Sequence, residues 1–175
     1  MASRKSHKGD FISLNKEYVK INGKGMRVLS VKENGVVVIL PFTDEKCQNI
    51  IIEYQYRPVL KKYIYELPAG HINAGETPKH AALRELQEET GFSAKKLIFM
   101  YKAHPTPGSS THISNYFVAT GLVGDTSKAH RDPDETIEVK EMSMGKVLKM
   151  IRENKIIDNK TISAVLYYDH FYKKH

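Results

Sequence analysis

Short apolar segments separated by turn sequences dominate the first 70 residues. Residues 17–21 and 26–31 flank the turn sequence Asn-Gly-Lys-Gly at 22–25, which predicts a β-hairpin. Residues 36–40, Val-Val-Val-Ile-Leu, form a continuous apolar run typical of a buried strand. We predict two more strands over residues 50–54 and 63–67, the second ended by Pro-Ala-Gly at 68–70.

The next segment carries the signals of a helix. Thr77 suits the N-cap, Pro78 the first helical position, and Gly91 the residue that ends the helix. Strands are then expected over residues 96–102, 112–120 and 137–142. Two helices close the chain, one after Ser143 to about residue 154 and one from about residue 159. The pattern predicts an α+β domain with a mixed sheet and three helices.

Composition limits the classes of protein to consider. A chain of 175 residues with 41% hydrophobic residues is expected to form one domain with a sizeable core. It has no apolar run that approaches the roughly 18 residues of a membrane span. Residues 1–10 are polar, so we expect them to be disordered rather than a secretory signal. The single cysteine, Cys47, favours a reducing compartment, and we expect the cytoplasm.

The net charge of +7 has two interpretations. The lysines are scattered, which is typical of a solvated surface. The same charge would also help to attract an anionic substrate. Nucleic acid is not expected as a partner, because the chain has no arginine-rich stripe.

Three carboxylates share one face of the predicted helix. Glu85, Glu88 and Glu89 fall within an arc of roughly 100° at helical spacing. Like charges at this spacing destabilise a helix by about 0.2–0.5 kcal/mol per pair. Arg84 can pair with Glu88, but it cannot neutralise all three. A divalent cation would, and an all-oxygen ligand set favours Mg²⁺ or Mn²⁺.

The residues around these carboxylates resemble the Nudix box. That box is a glycine, five residues, a glutamate, seven residues, and then Arg-Glu-aliphatic-x-Glu-Glu-x-Gly-hydrophobic. Its fixed positions are occupied here by Gly70, Glu76, Arg84, Glu85, Leu86, Glu88, Glu89, Gly91 and Phe92. The resemblance implies the Nudix fold, an α/β/α sandwich with a mixed sheet.

Sequence outside the box resembles the ADP-ribose pyrophosphatase branch of that family. The similar segments are residues 53–57, 66–70 and 134–139, together with Pro107, which follows Phe92 by 15 residues. The resemblance implies three regions: a disordered N-terminus at 1–10, an N-terminal hairpin region at 11–34 and a Nudix domain at 35–175. It also implies a homodimer formed through the N-terminal strands.

The resemblance further implies the roles of individual residues. Metal ligands would be the side chains of Glu85, Glu88 and Glu89 and the carbonyl group of Ala69. Glu88 and Arg84 would support catalysis, with Glu76 orienting the box through Arg84 and with Gly70 and Gly91 as structural positions. The general base would be Glu135, in the acidic loop after the box, with Glu138 as the alternative. For Glu138, an exposed strand residue is the competing interpretation.

Substrate-binding residues implied by the resemblance are Arg57, His71, Pro107 and Tyr18. Arg57 would contact phosphates or form a surface salt bridge, and Tyr18 would stack on a base or simply pack. Relatives often carry an acidic residue a few positions after Pro107, whereas residues 109–112 here read Ser-Ser-Thr-His. This departure makes a nucleotide hexose such as GDP-mannose a competitor to ADP-ribose.

The expected function is therefore Mg²⁺-dependent hydrolysis of a nucleoside diphosphate sugar to a nucleoside monophosphate and a sugar phosphate. One alternative keeps the chemistry and acts on nucleoside triphosphates or RNA 5′ ends. Another is a non-catalytic regulator that senses nucleotide sugars.

Overall fold

The computed structural model describes residues 12–130 and 136–172. Its first two strands, β1 (Ile12–Ile21) and β2 (Lys24–Glu33), form a separate antiparallel hairpin. The chain reverses at Asn22 and Gly23, whose φ angles of 51° and 78° suit a two-residue hairpin loop. The predicted hairpin is confirmed, with longer strands than predicted, and the expected disorder of residues 1–10 concerns residues outside the described ranges.

The rest of the described chain forms two sheets and three α-helices. In chain order these are β3 (Val36–Pro41), β4 (Asn49–Arg57), β5 (Lys62–Glu66), β6 (Ala69–His71), α1 (Pro78–Thr90), β7 (Phe92–Ala103), β8 (Ser114–Gly124), β9 (Ile137–Ser143), α2 (Met144–Arg152) and α3 (Asn159–Tyr167). Tyr168–Tyr172 extends α3 by a π-helical turn. None of the helices in the described ranges is long and apolar enough to cross a membrane.

Most predicted elements are confirmed, and the main difference is β6. The sequence 68–70 was predicted to end a strand, yet Ala69–His71 pairs antiparallel with β3 and places Val38 opposite Ala69. A three-residue strand with a central glycine has no periodicity of its own, so only its pairing partner defines it. The penultimate helix also ends two residues early, because Asn154 adopts a φ of 55°.

The larger sheet is mixed and lies between helical layers. Its strand order is β6-β3-β8-β7, with β3 parallel to β8 and the other pairs antiparallel. One face packs against α1 through Val37, Ile39 and Leu86. The other face, with Val38 and Leu40, packs toward α2, α3 and the smaller sheet β5-β4-β9. This confirms the predicted α/β/α arrangement with N-terminal strands.

Burial on both faces explains the unbroken apolar sequence of β3, in which every residue is buried. Its amino-terminal end borders the loop–helix segment of the box, because β3 pairs with β6 and β6 leads toward α1. The division of the chain at residues 34 and 35 is not tested by the fold and stays a prediction.

Candidate active site

A cleft of about 500 Å³ is lined by residues of β2, β4, β6, α1 and α3. Three polar groups face it. The first is the acidic face of α1, the second is a pair of cations, Arg57 and Lys160, and the third is Glu33 with His112. The cleft is therefore strongly polar and combines carboxylates with cations.

Helix α1 is held in place by the capping residues that the sequence predicts. The Oγ1 atom of Thr77 accepts a hydrogen bond of 3.3 Å from the N–H of His80, and Pro78 begins the helix. Gly91 ends it with a φ of 79°, and a Cβ there would lie 2.1 Å from the backbone oxygen of Asp125. Since the apolar face of α1 covers the mixed sheet, the acidic face points to the cleft.

The three glutamates of α1 occupy different environments. Glu89 is buried, and its Oε2 accepts a hydrogen bond of 2.9 Å from the N–H of Ala69. Glu85 lies against Gly70, where a Cβ would come within 2.0 Å of the Glu85 carboxyl carbon. The side chain of Glu88 is 42% exposed at the cleft. Gly70 is thus required as glycine so that the Glu85 carboxylate can approach β6.

Arg84 connects the box through all five of its N–H donors. Its Nε and Nη2 donate to the two carboxylate oxygens of Glu76, each at 3.0 Å. Nη1 donates to Glu85 and Glu88, both at 2.8 Å, and Nη2 also donates to the carbonyl of His71 at 2.9 Å. The hydrogen bonds to Glu76 are the main cause of a raised Arg84 pKa, and Arg84 in turn lowers the pKa of Glu76. The predicted contacts of Arg84 with Glu76 and Glu88 are present.

The donor set fits a hard divalent cation by its chemistry. Glu85, Glu88, Glu89 and Ala69 line the same cleft, and carboxylate and carbonyl oxygens are the ligands that Mg²⁺ and Mn²⁺ prefer. Within residues 12–130 and 136–172, no group of three or more His, Cys, Asp or Glu side chains is already arranged to hold a metal ion. The Arg84 guanidinium instead bridges Glu85 and Glu88. Because the Glu88 side chain is 42% exposed, its carboxylate has room to turn from Arg84 to a cation.

Arg57 forms a salt bridge, and its partner is a buried carboxylate. Its Nε and Nη2 donate to Glu66 at 2.6 and 2.8 Å, and the Glu66 side chain is only 2% exposed. Lys160 reaches the same carboxylate at 3.2 Å. The salt bridge of Arg57 is therefore present. Arg57 and Lys160 both line the cleft, and the contact of Arg57 with phosphates stays a prediction.

Glu33 and His112 form a group that the sequence reasoning missed. Nδ1 of His112 lies 3.3 Å from Glu33 Oε2, and Ser110 donates to the other Glu33 oxygen at 2.5 Å. His112 Nε2 lies 2.9 Å from Ser114 Oγ. His71 is nearby, and burial lowers its pKa while Glu33 acts in the opposite direction. The available signal was the sequence Ser-Ser-Thr-His at residues 109–112, which differs from that of relatives. Its partner Glu33 is 77 positions away from Ser110, so the sequence did not indicate the pairing.

Two predicted substrate-binding residues do not line the cleft. Tyr18 lies on β1, 59% exposed, with its ring over Gly25. Pro107 is exposed in the loop that joins β7 and β8.

Of the two candidate bases, Glu135 belongs to residues 131–135, outside the described ranges. His130, just before them, lines the cleft and donates its N–H to the Glu88 carbonyl at 2.9 Å. Glu138 is exposed on β9 and pairs with Lys140.

Comparison with models of protein families identifies the family of this chain. The model of the NUDIX domain matches residues 33–164, three quarters of the chain. The chain belongs to the Nudix family. The matched region contains every residue of the box and both cleft cations.

The similarity of this Nudix protein to its relatives covers most of its length. The ADP-ribose pyrophosphatase of Bacillus subtilis (strain 168) is 38% identical over 168 residues, covering 95% of this chain and 90% of that protein. The methanol dehydrogenase activator of Bacillus methanolicus is 36% identical over 146 residues, 83% of this chain and 78% of that one. A crystal structure of an ADP compounds hydrolase superposes with a TM-score of 0.80, covering 98% and 95% of the two chains. Its identity of 20% supports the fold alone.

Proposed function

We propose that this Nudix protein is a pyrophosphohydrolase that cleaves the diphosphate linkage of a nucleoside diphosphate sugar. The products would be a nucleoside monophosphate and a sugar phosphate. The observation that carries the proposal is the intact box around Arg84, with three carboxylates facing a cleft that also presents Arg57 and Lys160. The similarity over most of the chain to a protein named ADP-ribose pyrophosphatase supports the same substrate class.

We infer that the cofactor is Mg²⁺, with Mn²⁺ as a substitute. Glu85, Glu88, Glu89 and the carbonyl group of Ala69 would hold it. When bound, such a cation neutralises the charge of the diphosphate and makes its phosphorus easier to attack. Two residues of the protein would assist the cation: Arg84 would orient the carboxylates, and Arg57 would bind phosphate oxygens.

The hydrolysis requires a base for the attacking water. As the oxygen of water bonds to one phosphorus, the bond from that phosphorus to the bridging oxygen breaks, and a proton must leave the water. We assign this role to Glu135. The alternative, Glu138, is 65% exposed on β9 and is paired with Lys140, outside the cleft lining.

Replacement of the two candidate bases by glutamine should separate them. We expect Glu135→Gln to lower kcat about 10²–10⁴-fold with little change in KM, because general-base catalysis contributes in that range. Glu138→Gln is the matched control and should retain nearly full activity. Steady-state kinetics with saturating Mg²⁺ measures both, and full activity in Glu135→Gln would remove this residue from the role.

Gly70→Ala should disturb the site without disturbing the fold. The new Cβ would meet the end of the flexible Glu85 side chain rather than backbone, so the carboxylate should move and the chain should not. We expect kcat/KM to fall about 10–100-fold, as for other changes that displace a metal ligand. Thermal unfolding should stay within a few degrees of the wild type.

Gly145→Ala is the control for this substitution, because a Cβ there meets no atom within 4 Å apart from the neighbouring backbone of its own helix. In helix α2 it should leave activity unchanged and be neutral or slightly stabilising. If Gly70→Ala keeps wild-type kcat/KM, the contact between Gly70 and Glu85 has no role in the reaction.

We further propose a homodimer formed through the N-terminal hairpin. The hairpin exposes five large apolar side chains: Leu14, Tyr18, Ile21, Met26 and Leu29. An isolated two-stranded hairpin is marginally stable in water, and its open edges favour pairing with another chain. Tyr18 does not line the cleft of its own chain. In a dimer it would contact the substrate bound in the cleft of the partner.

A charged residue in the hairpin should test the dimer. Leu29→Glu is expected to convert a dimeric protein to a monomer, because Leu29 is 61% exposed on β2. Leu60→Glu, on the turn between β4 and β5 and 51% exposed, should not. Light scattering coupled to size-exclusion chromatography measures the mass. A monomeric wild type at micromolar concentration would contradict the proposal.

A substrate panel tests the function itself. ADP-ribose, GDP-mannose, a nucleoside triphosphate, a dinucleoside polyphosphate and a triphosphorylated RNA would be incubated with the protein and Mg²⁺. We expect turnover of at least one nucleoside diphosphate sugar, with kcat/KM well above that for the triphosphate and the RNA. Turnover of the triphosphate or RNA alone would favour the alternative substrates. Inactivity on the whole panel with an intact fold would favour a regulator.

A further inference from the structure

Lys160 occupies the first turn of α3 and lines the cleft. Its side chain is 22% exposed, so the ammonium is partly enclosed. The ammonium donates to Asp158 Oδ1 at 2.7 Å and to Glu66 Oε2 at 3.2 Å. Asp158 is the N-cap of the same helix, and its other oxygen accepts from the N–H and Oγ1 of Thr161. Lys160 is therefore held by two fixed carboxylates.

Glu66 places Lys160 beside Arg57. Its buried carboxylate accepts two bonds from the Arg57 guanidinium and one from the Lys160 ammonium. Asp158 binds Lys160 as well, so two carboxylates balance the charges of the two cations and fix their positions. Two cations of different shape thus reach the same wall of the cleft, at a separation that Glu66 sets.

Both cations keep donors for a ligand. An ammonium has three N–H groups and a guanidinium has five. The contacts with Asp158 and Glu66 use two donors of Lys160, and those with Glu66 use two of Arg57. Burial alone would lower the pKa of Lys160, but Asp158 and Glu66 raise it above the ordinary value, so the ammonium stays charged.

The cationic wall also lies close to the carboxylates of α1. The pKa of Arg57 is raised mainly by its hydrogen bonds to Glu66, and the charge of Glu89 contributes as well. Glu89 in turn binds the N–H of Ala69. A diphosphate held beside the α1 carboxylates by a metal would therefore have Arg57 and Lys160 within its surroundings.

We propose that Lys160 is a second phosphate-binding residue, which contacts the diphosphate of the substrate together with Arg57 and is positioned by Glu66 and Asp158. The inference rests on the proposed function, since it takes the ligand to be a diphosphate. An ammonium suits this role as a compact charge, while the planar guanidinium of Arg57 can bind two oxygens at once.

Kinetics of three variants test the inference. Lys160→Met removes the charge and keeps an extended side chain, Lys160→Arg keeps the charge, and Lys155→Met removes a surface lysine that pairs with Glu153. We expect Lys160→Met to lower kcat/KM about 10–100-fold, mainly through KM, because a hydrogen bond to a charged group is lost. Lys160→Arg should recover part of the loss, and Lys155→Met should behave as wild type.

A structural role alone would give a different result. Lys160→Met would then lower the melting temperature while KM stays at the wild-type value, and this outcome would overturn the inference. If Lys160→Met fails to fold, Lys160→Gln, which can still donate to Glu66, provides the same comparison. Its KM should rise similarly, and a wild-type KM would again overturn the inference.

Binding of an inert diphosphate separates this inference from the proposed function. Calorimetric titration with α,β-methylene-ADP in Mg²⁺ buffer needs no turnover. We expect the affinity to fall at least fivefold in Lys160→Met and to stay unchanged in Lys155→Met. Equal affinity in the two variants, or lack of binding to the wild type, would overturn the role of Lys160 even if the wild type hydrolyses nucleotide sugars. If Lys160→Met binds the diphosphate more weakly as expected but the wild type hydrolyses no nucleotide sugar, the role of Lys160 stands and the proposed function is rejected.

Discussion

Replacement of Glu89 by glutamine is expected to lower kcat about a thousandfold or more. Glutamine keeps the size of the side chain, and its carbonyl oxygen can still accept the hydrogen bond from the Ala69 N–H. The substitution removes the negative charge that a divalent cation requires. Loss of a metal ligand costs several kcal/mol of transition-state stabilisation, and about 4 kcal/mol corresponds to a thousandfold.

The control for this variant is Glu153→Gln. Glu153 pairs with Lys155 at 2.7 Å on the surface near the end of α2, away from the cleft. Its replacement should leave kcat unchanged. Steady-state kinetics over a range of Mg²⁺ concentrations would show whether Glu89→Gln regains activity at high metal. A variant with wild-type kcat at ordinary Mg²⁺ would exclude Glu89 from the metal site.

Replacement of Arg84 should reduce both stability and activity. The guanidinium makes five hydrogen bonds, four of them to carboxylates, so its loss leaves Glu76, Glu85 and Glu88 without their common cation. We expect Arg84→Ala to lower the free energy of unfolding by about 2–3 kcal/mol when divalent cations are absent. The ordering of the carboxylates should be lost as well, with kcat/KM reduced about 10–100-fold.

Arg84→Lys should recover little of this loss. An ammonium has three donors and cannot reproduce the paired bonds to Glu76. Urea unfolding measures the stabilities, and Arg152→Ala, an exposed residue in the last turn of α2, serves as the control with an expected change below about 0.5 kcal/mol. An Arg84→Ala variant as stable as the wild type would show that Arg84 does not hold the box together.

The part of the site formed by α1 could be predicted because its determinants are local. Thr77, Pro78 and Gly91 specify the ends of the helix within 15 residues, and helical spacing then brings the three carboxylates to one face. The pairing of Arg84 with Glu88 follows from the same spacing. The fold class could be predicted from the alternation of apolar segments and from the resemblance of the box.

The other residues that line the cleft are positioned by contacts between distant parts of the sequence. Lys160 and Glu66 are separated by 94 positions in the sequence, and Ser110 and Glu33 by 77. Strand β6 likewise exists only because β3 pairs with it. Helical or strand periodicity does not carry such information. The resemblance could propose Arg57 as a phosphate-binding residue, but its link to Lys160 could not be predicted.

Hydrolysis in ¹⁸O-labelled water tests the central claim most directly. The wild type and Glu89→Gln would be incubated with Mg²⁺ and with ADP-ribose or GDP-mannose, and the products identified by mass spectrometry. We predict equal amounts of a nucleoside monophosphate and a sugar phosphate, with one ¹⁸O atom incorporated per turnover into one of the two phosphate groups, and products greatly reduced in Glu89→Gln. A folded wild type that leaves both substrates intact, or that cleaves them without labelling a phosphate, would contradict the assignment.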